Sequence, residues 1–81
     1  MQITIRFFGS LREAAGAATC TLDIPQGTRL EQVVARLVAQ YPELDGQQAS
    51  WHFAVNRIHA EPERVLQSGD HLSIFPYIAG G

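Results

Sequence analysis

This 81-residue sequence contains no lysine, so its six basic residues are all arginines. The arginines are scattered along the chain and the net charge is −2, which leaves no basic stripe to follow a phosphate backbone. We therefore expect no nucleic-acid partner.

Metal-binding and disulfide-forming residues are also scarce. Cys20 is the single cysteine, which excludes an internal disulfide, a cysteine-ligated iron–sulfur cluster and a zinc knuckle. His52, His59 and His71 fall on separate predicted elements with no closely spaced ligand pair, so we expect no metal site. A reducing intracellular compartment fits this composition.

Long hydrophobic runs are missing as well. No stretch approaches the ~18 apolar residues that a membrane span requires, and the start of the chain lacks a basic segment followed by an apolar one. The sequence therefore predicts a cytoplasmic protein without membrane contact. With 81 residues that are 46% hydrophobic, it has the size and composition of one small domain.

Apolar residues at every second position predict strands. Ile3, Ile5 and Phe7 alternate with polar residues in a first strand over residues 2–8, and Cys20 faces the core in a second strand that ends near residue 24. Similar patterns predict strands over residues 51–56, 58–60 and 71–76.

One main amphipathic helix is predicted between the second and third strands. Thr28 and Glu31 form a capping-box pattern at its start, and Pro42 ends it near Tyr41. Its apolar stripe comprises Leu30, Val33, Val34, Leu37, Val38 and Tyr41. A shorter helix capped by Ser10 is predicted over residues 10–15.

The order of these elements predicts an α+β fold of the β-grasp (ubiquitin-like) type. One main helix would cover a mixed sheet whose first and last strands pair at the centre. We expect a domain over residues 1–76, followed by a flexible C-terminal tail over residues 77–81.

The predicted tail ends in a double glycine. Gly80 and Gly81 have no Cβ, so such an end can enter a channel too narrow for a side chain and leaves the terminal carbonyl carbon accessible. A free α-carboxylate is a poor electrophile at neutral pH. Chemistry at Gly81 would therefore require activation by another protein.

Three stretches resemble the MoaD family, the small subunit of molybdopterin synthase. They cover residues 7–16, residues 54–56, and residues 66–76 running on to Gly80-Gly81. Tyr77 departs from the family pattern, because many members carry a second proline there. The resemblance extends over nearly the whole chain.

The resemblance implies a sulfur carrier that is not itself an enzyme and binds no cofactor. In that family an ATP-using adenylyltransferase of the ubiquitin-activating type adenylates the carboxylate that corresponds to Gly81, which then becomes a thiocarboxylate. The large subunit of molybdopterin synthase takes up the tail, here Tyr77, Ile78, Ala79, Gly80 and Gly81, and the sulfur passes to a pterin precursor.

An aromatic docking surface is predicted beside the tail. Phe75 lies on the opposite face of the last strand from Ile74, and Phe8 lies near it on the neighbouring first strand. An apolar cluster on an open sheet face is typical of an interaction site. We predict that Phe8, Phe75 and Pro76 contact partner proteins.

Other functions remain open from the sequence alone. A sulfur carrier for thiamin thiazole or another pathway would share the fold and the tail, as would a ubiquitin-like protein modifier. The absence of lysine prevents lysine-linked chains of this protein, but not single attachment to targets. A β-grasp module that only binds a ligand would not need Gly80 or Gly81.

Overall fold

The computed structural model describes residues 1–76, which form a five-stranded sheet with helices. The strands are β1 (Gln2–Phe7), β2 (Thr19–Asp23), β3 (His52–Val55), β4 (Ile58–Ala60) and β5 (His71–Phe75). The helices are α1 (Ser10–Ala15) and α2 (Leu30–Gln40), and 3-10 turns occur at Pro42–Leu44 and Gln48–Ser50. Neither α1 nor α2 is long and apolar enough to cross a membrane.

The strands lie in the order β2-β1-β5-β3-β4. β1 and β5 are parallel neighbours, with Ile5 opposite Leu72 and Phe7 opposite Ile74, whereas the other pairs are antiparallel. A parallel pair requires a long crossover between its strands, and the segment containing α2 lies between β1 and β5 in the chain. The predicted β-grasp fold, with its first and last strands at the centre, is confirmed.

One face of the sheet is buried in the core with α2. The strand residues that were predicted to point inward are buried, including Ile3, Ile5 and Phe7, except for Cys20, which is half-buried. The helix stripe is buried at Leu30, Val33, Val34 and Leu37 and half-buried at Val38 and Tyr41, as predicted. The opposite face carries no helix of the described region and remains open.

The predicted cap of α1 is wrong by one residue. Ser10 is already helical and makes no capping bond, and the N-cap is Gly9. Gly9 has φ 57° and ψ −136°, a combination that lies outside the regions that residues with a Cβ favour. The backbone angles at the N-cap therefore favour glycine, and the helix begins without a side-chain cap.

The predicted capping box of α2 is also wrong. The N-cap is Arg29, whose backbone N–H donates to Gln32 Oε1 at 2.8 Å. The Thr28 hydroxyl instead donates to the carbonyl of Pro25 at 2.7 Å. Thr28 therefore stabilises the preceding turn, and Gln32 takes the place predicted for Glu31.

The remaining free N–H groups of the first turn of α2 are bound by a distant loop. Leu30 donates to the carbonyl of Arg64 at 2.8 Å, and Glu31 donates to the carbonyl of Pro62 at 2.9 Å. These carbonyls supply the acceptors that a helix N-terminus needs. No local pattern in residues 28–31 contains this information.

Candidate functional site

Two aromatic rings stack on the open face of the sheet. The ring centroids of Phe8 and Phe75 are 4.5 Å apart and the rings are 21° from parallel. Because Phe7 lies opposite Ile74 in the parallel pair β1 and β5, the next residue of each strand falls on the other face. The prediction that Phe8 and Phe75 are neighbours there is confirmed. We refer to Phe8, Phe75 and Pro76, all half-buried, as the aromatic patch.

Arg6 extends this surface. Its guanidinium carbon lies 5.2 Å from the centroid of the Phe8 ring, within the range of a cation–π interaction. Arg6 was not among the predicted site residues. Its position could have been predicted from the sequence, because alternation in β1 places residues 4, 6 and 8 on the same face.

Gly9 and Pro76 lie side by side at the end of the sheet. A Cβ on residue 9 would come within 3.1 Å of Pro76 Cγ. The Phe8 backbone N–H donates to the carbonyl of Ile74 at 3.1 Å, which joins the two chain segments just before this contact. The position of Pro76, the last described residue, is therefore set in part by the segment that follows β1.

The predicted tail residues lie outside the described part of the chain. They are Tyr77, Ile78, Ala79, Gly80 and Gly81. The predicted boundary between a domain and a tail at residue 76, and the predicted roles of these residues, stay predictions.

A buried carboxylate braces the opposite end of β5. Asp70 is 6% exposed; its Oδ1 accepts from the Asn56 side-chain amide at 2.9 Å and its Oδ2 from the Gln67 N–H at 2.7 Å. Asn56 Oδ1 accepts in turn from the His71 N–H at 3.0 Å. These bonds hold the turn between β3 and β4 against the start of β5.

Cys20 has the character of a packing residue. It is half-buried against the core, and burial raises the pKa of its thiol, partly offset by a hydrogen bond with Tyr41. A raised pKa lowers the thiolate fraction and with it the reactivity. The sequence-based interpretation of Cys20 as a core residue agrees with this position, although its burial is incomplete.

The three histidines are exposed and lie on different strands. His59 Nε2 is 2.9 Å from Glu61 Oε1, an exposed pair at the edge of the sheet. Within residues 1–76, no three histidine, cysteine or acidic side chains are grouped to hold a metal ion.

Curated relatives match the whole chain. The molybdopterin synthase sulfur carrier subunit of Chlamydomonas reinhardtii is 32% identical over 83 residues, which cover 100% of both chains. The protein of the same name from Arabidopsis thaliana is 28% identical over 100% of this chain and 84% of its own length.

Solved structures show the same fold. SAMP1 from Haloferax volcanii superposes with a TM-score of 0.86 at 24% identity, covering 100% of both chains. One chain of the complex of subunits 1 and 2 of the molybdopterin-converting factor from Helicobacter pylori superposes with a TM-score of 0.72 at 21% identity, again over 100% of both chains. The model of the ThiS family matches residues 5–81. The chain therefore belongs to the ThiS family.

Proposed function

We propose that this chain is the sulfur carrier subunit of a molybdopterin synthase and that it has no catalytic activity alone. The observation that carries the proposal is the position of the aromatic patch, which lies where Pro76 leads into residues 77–81. A carrier needs a docking surface beside the segment that it delivers. The names of the full-length curated relatives support the same function.

The reactive group in this proposal is the carboxylate of Gly81. It attacks the α-phosphate of ATP held by an adenylyltransferase of the ubiquitin-activating type, which releases pyrophosphate and forms an acyl-adenylate. Sulfur at the sulfide level, from a donor protein, then displaces AMP and leaves a thiocarboxylate. Activation thus turns a poor electrophile into a carrier of nucleophilic sulfur.

Delivery takes place in the large subunit of the synthase. The thiocarboxylate sulfur replaces an oxygen substituent on the side chain of the pterin precursor, so that a C–S bond forms as a C–O bond breaks, and water then cleaves the acyl–sulfur bond to restore the Gly81 carboxylate. Each carrier delivers one sulfur atom, so a dithiolene consumes two loaded carriers. The ATP belongs to the activating enzyme, and this chain binds no cofactor of its own.

The length of the tail is adequate for this task. Five residues in extended form reach roughly 16–18 Å at about 3.3–3.6 Å each. With Gly80 and Gly81 at the end, such a segment can enter a narrow site while the domain remains docked outside. The entrance of that site would hold the preceding residues Tyr77, Ile78 and Ala79.

The large subunit is the partner that we propose for the aromatic patch. The Helicobacter pylori structure, which shares the fold, contains a complex of subunits 1 and 2 of its molybdopterin-converting factor. The synthase and the activating enzyme would use the same face in turn, because Pro76, the last described residue before the tail, belongs to the aromatic patch.

Intact mass measurement tests the proposal. After co-expression with the adenylyltransferase and sulfur donor from the same organism, we expect a gain of about 16 mass units, as oxygen is replaced by sulfur. Deleting Gly81, or adding one residue after it, should abolish sulfur transfer without changing the thermal midpoint, because a terminal segment buries little surface. Normal transfer by the deletion variant would contradict the proposal, and covalent adducts with other proteins would indicate a modifier instead.

A further inference from the structure

A concave basic surface lies on the open face of the sheet beside the aromatic patch. It is lined by Arg6, Asn56, Arg57, His71 and Ser73, and we call it the basic hollow. Strand register explains the grouping, since Arg6 lies opposite Ser73 in the central parallel pair. Arg6 also contacts Phe8, so the basic hollow and the aromatic patch form one continuous surface.

The arginines of the basic hollow have no acidic partner within residues 1–76. The ion pairs in this part of the chain are Arg29 with Glu31 and His59 with Glu61. Asp70 lies near the hollow, but it is buried and both of its oxygens already accept hydrogen bonds. The hollow is therefore a local positive site on a chain whose net charge is −2.

The backbone at Arg57 is strained. Asn56 and Arg57 connect β3 to β4 with φ angles of 51° and 71°. A two-residue hairpin with both angles positive is of type I′, which favours asparagine followed by glycine. Asn56 fits this preference, whereas an arginine in the left-handed region costs about 1–2 kcal/mol. A strained residue with a charged side chain in a concave surface indicates a functional role.

The surroundings of the two arginines are held in place. The Asn56 N–H donates to the His71 carbonyl at 2.8 Å, and the His71 N–H donates back to Asn56 Oδ1 at 3.0 Å. These bonds attach the turn that contains Arg57 to the start of β5. The Phe8 ring restrains the guanidinium of Arg6 on the other side. The backbone of the turn at Arg57 and the side chain of Arg6 therefore lose less freedom when an anion binds.

We propose that the basic hollow binds a cluster of aspartate or glutamate side chains on the partner protein that contacts the aromatic patch. The inference rests on the proposed function, which makes the large synthase subunit that partner. Guanidinium groups pair with carboxylates through two parallel hydrogen bonds, a geometry that gives orientation as well as energy. The hollow thereby orients the domain so that its tail faces the correct entrance.

The variant Arg57→Gly separates binding from folding. Glycine suits the left-handed turn, so this variant should unfold at a higher denaturant concentration than the wild type. Its affinity for the purified large subunit from the same organism should nevertheless fall on the order of tenfold at low salt. A merely structural role for Arg57 would not move the two quantities in opposite directions.

Salt dependence gives a second measurement. Affinity of the wild type should weaken between about 50 and about 500 mM NaCl, and this slope should be smaller for Arg57→Gln and Arg6→Gln. Arg64→Gln is the matched control, because it removes the same charge beside the start of α2, on the other side of the sheet. It should retain the wild-type affinity and nearly the wild-type slope.

The outcomes distinguish the two proposals. If the large subunit binds the wild type and Arg57→Gly equally well, with affinity independent of salt, the basic hollow does not bind acidic side chains. Saturation of the hollow by inorganic phosphate alone, together with unchanged affinity of Arg57→Gly for the subunit, would also overturn the inference and indicate a small-anion site. If the loaded wild type does not bind the large subunit at all, the proposed function fails, and the inference fails with it.

Discussion

The Pro76 ring lies against Gly9, with Cγ placed 3.1 Å from where a Cβ of residue 9 would be. Gly9 follows β1 and Pro76 follows β5, and these strands are parallel neighbours at the centre of the sheet. The contact therefore couples the start of α1 to the point at which the chain leaves the described domain.

We predict that Gly9→Ala destabilises the domain by roughly 1–3 kcal/mol, because alanine disfavours the backbone angles at this residue and its methyl group would press on Pro76. Urea unfolding measures the loss. The same substitution in a Pro76→Ala background removes the close contact and leaves the backbone strain, so its cost should be smaller. Equal costs in both backgrounds would mean that Pro76 moves away freely.

Phe75 should contribute more to binding than to folding. Phe75→Ala is expected to weaken binding of the large subunit by about 2–4 kcal/mol, roughly 30- to 1,000-fold, because a central aromatic anchor is lost. The free domain should lose much less stability, since Phe75 is only half-buried. Titration calorimetry and a urea melt give the two numbers.

Thr21→Ala is a suitable control for Phe75→Ala, because Thr21 is exposed in β2, an edge strand that is separated from β5 by β1. It should leave the affinity unchanged. A large loss of stability with normal affinity for Phe75→Ala would show that this ring serves the fold and that docking occurs elsewhere.

The bond between Asp70 and Asn56 predicts a folding defect. Asp70→Ala leaves the Asn56 amide and the Gln67 N–H without their acceptor, which should cost about 1–3 kcal/mol. Chemical denaturation monitored by Trp51 fluorescence measures it. Asn56→Gly removes the side-chain hydrogen bonds of Asn56, while glycine still tolerates the positive φ at this position. If Asn56→Gly and Asp70→Ala lose the same stability, the loss is due to the hydrogen bonds. Neutrality of both variants would contradict the proposed brace.

The helix stripe should behave as core. Leu37 is 0% exposed, and Leu37→Ala should cost about 2–5 kcal/mol through the cavity that it leaves. Val38→Ala, at a half-buried position of the same helix, should cost clearly less. A denaturant melt of each variant provides the comparison, and similar small losses would place the stripe away from the core.

Local sequence patterns predicted the elements of the fold well. Alternation in residues 2–8 and 71–76 identified β1 and β5, and the stripe from Leu30 to Leu37 identified α2, because burial on one face imposes a fixed period. Alternation also placed Phe8 and Phe75 on one face, once their strands were expected to be neighbours. The helix caps were predicted less well. At the start of α2, the backbone N–H groups donate to the carbonyls of Pro62 and Arg64, which lie far away in the sequence, so the local pattern does not show these acceptors.

The sequence by itself determined which side chains are buried and which face the open side of the sheet, because strand and helix periods follow from backbone geometry. It also supplied the family resemblance that the comparisons confirm. Only the tertiary structure decided that Arg6 and Arg57, which are far apart in the chain, line one hollow, and that Gly9 meets Pro76. Such groupings depend on strand order and register, which arise from contacts between distant segments and leave no local pattern in the sequence.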